Sequence, residues 1–295
     1  MAKMQKWLRR FEKKPKIPFF TGNYIAMPNA QPIGIFDSGI GGLTLAHAIT
    51  ELMPQENIIY FGDTAHLPYG DKSATSIQSY SLKICNFLME KNCKLILIAC
   101  NSASAAAYDL VKTYVGTKAI VVNVIDPVID YLNDSWEGKT LGLIGTKQTV
   151  NSGIYASKAE ALGKGIHIKS LATPLLAPMI EEGFFNNNIS EQIIKEYLGH
   201  PNLAHIEGLI LGCTHYPLIK KQIDAYFQGT IPVIDTSRIV AATIKAILSE
   251  RDLLIENQSI PTRQFYVSDY TDSFEKSTQI FFGETIKLTQ YPIWD

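Results

Sequence analysis

The chain has 295 residues, 46% hydrophobic content and 28 acidic against 27 basic side chains, enough apolar material for two modest α/β domains. Residues 1–31 hold seven of the basic side chains and only Glu12 as an acid, so the remainder carries 20 basic against 27 acidic groups, a formal −7. That balance points away from a nucleic-acid face, and no apolar run approaches the roughly 20 residues that cross a bilayer. The expected partner is a small molecule.

The first segment places Met4, Trp7, Leu8 and Phe11 at i, i+3, i+4, i+7 spacing, ringed by Lys3, Lys6, Arg9, Arg10, Lys13 and Lys14. A basic amphipathic helix of this kind can touch anionic lipid. The expectation here is nevertheless a disordered or dispensable extension over 1–31, with Met27 as an alternative start and no membrane partner. From Pro32 onward, short Ile/Val/Leu runs alternate with helix-periodic stretches, as in parallel βαβ units covered on both faces. Strands are predicted at Ile33–Phe36, Asn57–Phe61, Leu95–Ala99, Ile120–Val124, Leu141–Gly145, Ile166–Ser170, Gly208–Gly212 and Pro232–Asp235. Ile77, Tyr80, Ile84 and Leu88 mark the core stripe of a helix after Thr75, and Ile219, Ile223 and Tyr226 that of a helix after Pro217.

The chain also repeats itself weakly. Ile33-Gly34-Ile35-Phe36-Asp37-Ser38 resembles Leu141-Gly142-Leu143-Ile144-Gly145-Thr146, and Ile96-Leu97-Ile98-Ala99-Cys100-Asn101 resembles Leu209-Ile210-Leu211-Gly212-Cys213-Thr214. The predicted fold is therefore α/β, with two similar doubly wound domains facing each other across a cleft. The first lobe takes 32–126 plus 236–295 and the second 127–235. Each lobe then offers one cysteine at the carboxyl end of a strand, where open α/β sheets bind ligands.

The four cysteines form no C-x-x-C pair and no zinc-spaced cluster, which suits free thiols in a reducing cytoplasm. Cys100 and Cys213 each follow a strand and face a predicted helix, over 102–114 and 217–227, whose N-terminus would lower a thiol below its free value of about 8.5. One such cysteine reads equally well as a small buried hydrophobe; two in repeat-related positions point to chemistry. Cys85 and Cys93 lack this context and read as structural. The glycines of Asp37-Ser38-Gly39-Ile40-Gly41-Gly42 let backbone N–H groups approach an anion, but the Rossmann spacing and the P-loop lysine are missing. With no metal-ligand cluster either, no cofactor is expected. Pro68-Tyr69-Gly70 reads as a turn, and His215 puts an ionisable ring two residues from Cys213.

Together, Asp37-Ser38-Gly39 with Gly41-Gly42, Pro68-Tyr69-Gly70, Cys100-Asn101-Ser102-Ala103 and Gly212-Cys213-Thr214-His215-Tyr216-Pro217 resemble the motif set of glutamate racemases over about residues 32–250. The resemblance implies a cofactor-independent enzyme that interconverts L- and D-glutamate and supplies D-glutamate for peptidoglycan. It implies Cys100 and Cys213 as the two bases, Asp37 assisting Cys100, and His215 with Glu181 assisting Cys213; Glu182 is the neighbouring alternative. Substrate would be held by Asp37, Ser38, Tyr69, Gly70, Asn101, Ser102, Thr214 and His215. The family usually has Thr where this chain has Ser102. A homodimer is compatible with the sequence, though no feature selects it. An aspartate or hydantoin racemase would share the lobes and cysteines; a cysteine-nucleophile amidohydrolase would leave the second thiol unexplained, and a binding module would never exchange the α-proton.

Overall fold

The computed structural model describes residues 30–256 and 260–295; the basic amphipathic segment and Met27 lie outside the described residues. In chain order the first half runs β1 (Ile33–Asp37), α1 (Leu43–Leu52), β2 (Ile58–Gly62), α2 (Ala74–Glu90), β3 (Leu95–Ile98), α3 (Asn101–Val115), β4 (Ile120–Asn123) and α4 (Asp126–Ser135). The second runs β5 (Thr140–Gly145), α5 (Lys147–Asn151), α6 (Ile154–Ala161), β6 (His167–Ala172), α7 (Leu176–Glu181), α8 (Asn188–Leu198), β7 (Leu209–Gly212), α9 (Lys220–Tyr226) and β8 (Val233–Ile234). The chain closes with α10 (Thr236–Glu250), β9 (Arg263–Val267), α11 (Asp272–Phe282) and β10 (Thr289–Gln290).

All eight predicted strands form, and they divide into two parallel sheets. The larger has the order β10-β9-β2-β1-β3-β4 and the smaller β6-β5-β7-β8. The repeat is therefore topological as well as sequential, because β2-β1-β3-β4 and β6-β5-β7-β8 are the same arrangement. Each has a central strand, β1 or β5, flanked by neighbours reached in opposite directions, which opens a crevice at the carboxyl end. β9 and β10 were not predicted. β9 begins with the exposed Arg263 and Gln264 and β10 is two exposed residues, so neither carries a buried apolar run.

Both faces of the larger sheet are covered, which is why its strands read as continuous apolar runs. Ile33, Ile35, Tyr60, Leu95 and Leu97 enter one core, while Phe36, Phe61, Ile96 and Ile98 alternate into the other. The first core continues into Leu141, Leu143, Leu209 and Leu211 of the smaller sheet, so one buried body joins the two.

The helix expected after Pro217 is divided. Tyr216–Ile219 form a 3₁₀ turn before α9 begins at Lys220. Tyr216 N–H donates to the Cys213 carbonyl and Leu218 N–H to that of His215, so i→i+3 bonds close the chain tightly here. Cys213 consequently lacks an α-helix N-terminus directly behind it. Cys100 has one, since it is the N-cap residue of α3 and its Sγ accepts from Ala103 N–H at 3.5 Å.

Candidate active site

The two carboxyl-end crevices meet, and Cys100 and Cys213 line one cavity between them. Ser38, Pro68, Tyr69, Gly70, Asn101, Ser102, Thr214, His215 and Glu181 line it too, joined by Thr146 and Ala177. Its volume is about 30 Å³, room for one or two waters. A larger cavity of about 480 Å³, beside Gln78, Tyr108 and Lys158, contains none of the predicted site residues.

The surroundings of the two thiols differ. Cys213 Sγ lies 3.5 Å from His215 Nδ1, and His215 Nε2 lies 2.8 Å from Glu181 Oε1. This geometry selects Glu181 over Glu182 as the residue on the ring. Burial opposes charge on His215, but Cys213 and Glu181 outweigh it and raise the imidazole's proton affinity well above its ordinary value. Phe281 closes the ring's flank edge-on, with centroids 5.3 Å apart.

Among the described residues no such cation stands beside Cys100. Its S–H donates to Ser38 Oγ at 3.8 Å, and burial, then the neighbouring Asp37, push the thiol up to about 12. The sequence-based expectation of a lowered thiol at this helix N-terminus is thereby corrected. Desolvation and a nearby carboxylate outweigh the single N–H of Ala103.

Asp37 ends β1 with no exposed surface, behind the cavity wall. Its Oδ2 accepts from Gly42 N–H at 2.9 Å and Gly39 N–H at 3.4 Å, while Oδ1 has no partner among the described residues. Burial raises its pKa against the opposing pull of His215 and these N–H groups. The glycines that follow are required by contact. A Cβ on Gly42 would lie 2.7 Å from Asp37 Cβ, and one on Gly41 would lie 2.3 Å from His215 Cε1. The loop after β1 thus touches the ring that serves the cysteine after β7.

Tyr69 lies in the wall with its hydroxyl turned away, donating to the buried Asp63 Oδ2 at 2.6 Å. The phenol is thus engaged inside the protein, and the 68–70 turn reaches the cavity through the rest of its atoms. Gly70 packs so closely that a Cβ there would meet Thr146 Cβ at 2.7 Å. Ser102 Oγ lies 2.8 Å from Thr146 Oγ1 and 3.4 Å from Thr149 Oγ1, linking α3 to the cap of α5. Thr214 sits beside His215, and Thr44 Oγ1 donates to the Thr214 carbonyl at 2.9 Å.

Thr146 is a cavity residue that the sequence reading did not select. The signal was present, because Thr146 is the repeat mate of Ser38. Cys85 and Cys93, read as structural, are buried away from this cavity, and burial raises both thiols. Chemically, the arrangement offers one thiol beside a carboxylate-backed imidazole and a second, neutral thiol approaching from the other crevice. Such a pair can remove a proton from one face of a small ligand and return one to the other.

Comparison with known proteins places this geometry. Residues 43–244 match the model of the Asp/Glu/Hydantoin racemase family. A glutamate racemase of Neisseria meningitidis serogroup A is 38% identical over 258 residues, covering 87% of this chain and 94% of the relative. One from Chlorobaculum parvum is 35% identical over 257 residues, with the same coverage. The crystal structure of glutamate racemase from Francisella tularensis in complex with D-glutamate superposes with a TM-score of 0.84 at 36% identity, covering 90% of this chain and 99% of that one. Sequence and architecture agree over nearly the whole described chain: the protein is a member of the Asp/Glu/Hydantoin racemase family.

Proposed function

We propose that this chain interconverts L- and D-glutamate without a cofactor, using Cys213 and Cys100 as opposed bases. The observation that carries the reading is the placement of two repeat-related thiols in one cavity, only one of them beside an imidazole. With L-glutamate, Cys213 as thiolate takes the α-proton and Cys100 as thiol delivers its own to the opposite face. The product leaves with one proton gained for one lost, and the two thiols have exchanged protonation states. The reverse reaction, or proton exchange with solvent, resets them.

Each group has a stated task. His215, held by Glu181, places a cation beside Cys213. After turnover the Cys100 thiolate is supported by Ser38, Ala103 N–H and the start of α3. Asp37 favours the neutral thiol of Cys100, keeping its proton available for delivery. Substrate carboxylates and ammonium engage Ser38, Gly70, Asn101, Ser102, Thr214 and His215, with Thr146 added to that set. Tyr69 contributes through its backbone, and Asp37 acts through the loop it organises.

The lobes are assigned to 32–126 plus 236–295 and to 127–235. The product supplies peptidoglycan synthesis in the cytoplasm, and a homodimer is the proposed assembly. Among the described residues no helix is long and apolar enough to cross a membrane. The decisive experiment follows L-glutamate in D₂O, with aspartate and other acidic amino acids in parallel. Early D-glutamate should carry deuterium while recovered L-glutamate stays protiated. Deuterium entering the L-substrate as fast as product forms would overturn the two-base reading, and activity persisting only while a metal or pyridoxal group is bound would overturn cofactor independence.

A further inference from the structure

Tyr155 reaches the site from α6, across the cleft from Cys100, and is only 1% exposed. Its hydroxyl donates to Asn101 Oδ1 at 2.8 Å, a bond between the β5–β6 connection and the first residue of α3. Asn101 directly follows Cys100 and lines the cavity. An amide presents an acceptor on one side and a donor on the other, and its terminal torsion is broad and roughly two-fold. Toward a carboxylate the two orientations act oppositely, since Nδ2 attracts it and Oδ1 repels it. Nothing in the Asn101 side chain itself chooses between them.

We infer that Tyr155 is a positioning residue: by donating to Oδ1 it holds the Asn101 amide with Nδ2 turned into the cavity to receive a substrate carboxylate. The phenol is suited to this because it remains an O–H donor at working pH. Burial, then Asp126 and Cys213, raise its pKa. The bond also couples the arms of the cleft, so the amide is oriented only when both crevices are in place. The inference rests on the reading of this cavity as a glutamate site.

The test is a double-mutant cycle with L-glutamate, using wild type, Tyr155→Phe, Asn101→Ala and the pair. Tyr155→Phe keeps the buried ring and removes only the hydroxyl, and a cooperative thermal transition would verify folding. Its KM should rise roughly tenfold, as for loss of one hydrogen bond to a charged group, with kcat changing far less. In the Asn101→Ala background the same change should leave KM where it is. Glutarate, which binds without reacting, should weaken in parallel in a calorimetric titration. An unchanged KM in Tyr155→Phe, or an equal rise in both backgrounds, would overturn the inference while leaving the racemase reading intact. A folded wild type inactive on glutamate would overturn both.

Discussion

His215 Nδ1 stands 3.5 Å from Cys213 Sγ, whereas Cys100 has a serine hydroxyl at 3.8 Å and a buried carboxylate nearby. The two halves of the chain share a topology but surround their thiols with opposite charge. For a proton relay that asymmetry is useful, because one group must begin deprotonated while its counterpart holds a proton. Removing the imidazole should therefore impair the pair as a unit. His215→Gln is expected to lower kcat/KM for glutamate about a hundredfold. Because the enantiomers have equal free energy, the loss must be the same in both directions. Polarimetric assays from each enantiomer check this, and a near wild-type value would remove His215 from the mechanism.

Asp37 gives a pH signature in stability. In the unfolded chain it titrates near 3.8, and in the native state burial raises that value despite His215 and the loop N–H groups. Between the two pKa values the native protein holds a proton that the unfolded chain has released, so this group's contribution to stability falls as pH rises through that window and then levels. Asp37→Asn cannot titrate. Its stability relative to wild type should climb as pH rises above about 4 and then level in urea unfolding curves, while racemisation drops roughly a hundredfold. A relative stability that stays flat or falls with pH would contradict the assignment.

Gly41→Ala tests the contact between the lobes. The added methyl would sit 2.3 Å from His215 Cε1 and 2.7 Å from Thr214 Oγ1, so the ring must be displaced from Cys213. We expect kcat to fall at least about tenfold in a folded protein, since displacements of order 1 Å at a catalytic group carry costs of that size or more. Unimpaired turnover would mean that the ring's position is immaterial.

The Tyr69 hydroxyl belongs to a structural hub. Asp63 accepts from Tyr69, Ser268 Oγ at 2.8 Å and Trp294 Nε1 at 2.8 Å, joining the cavity turn to the carboxyl-terminal segment. Tyr69→Phe should cost about 1 kcal/mol in unfolding free energy and change KM for glutamate less than about threefold. A large KM effect with unchanged stability would place the hydroxyl on the substrate instead.

Lys94 and Glu56 form a buried ion pair at 2.7 Å, far along the strands from the cavity, and Lys94 Nζ also donates to the Leu253 carbonyl at 2.7 Å. Glu56 in turn accepts from Ile255 N–H at 2.9 Å, which ties the chain after α10 to the larger sheet. Lys94→Met leaves that carboxylate buried without its cation. Chemical denaturation should show a loss of about 3–5 kcal/mol, with KM retained in the folded fraction. A loss below about 1 kcal/mol would show that the pair is not a structural tie.

Eight strands, the repeat and both thiols are legible in the sequence, because most of these strands are buried apolar runs and their carboxyl ends are where polar residues can resume. Those signals are local, and they survive without knowledge of the neighbours. β9 and β10 escaped because β9 is exposed over its first two residues and β10 is a two-residue exposed edge, so their patterns have meaning only beside a partner strand. Which groups meet depends on packing: Glu181 on His215, Asp63 on Tyr69, Tyr155 on Asn101 and Thr146 on Ser102 are brought together across 34, 6, 54 and 44 residues of chain. Packing also decided the proton affinities. A helix start favours a thiolate when considered alone, but at Cys100 the loss of water and the presence of Asp37 are larger effects, and both depend on what the rest of the chain packs around the sulfur.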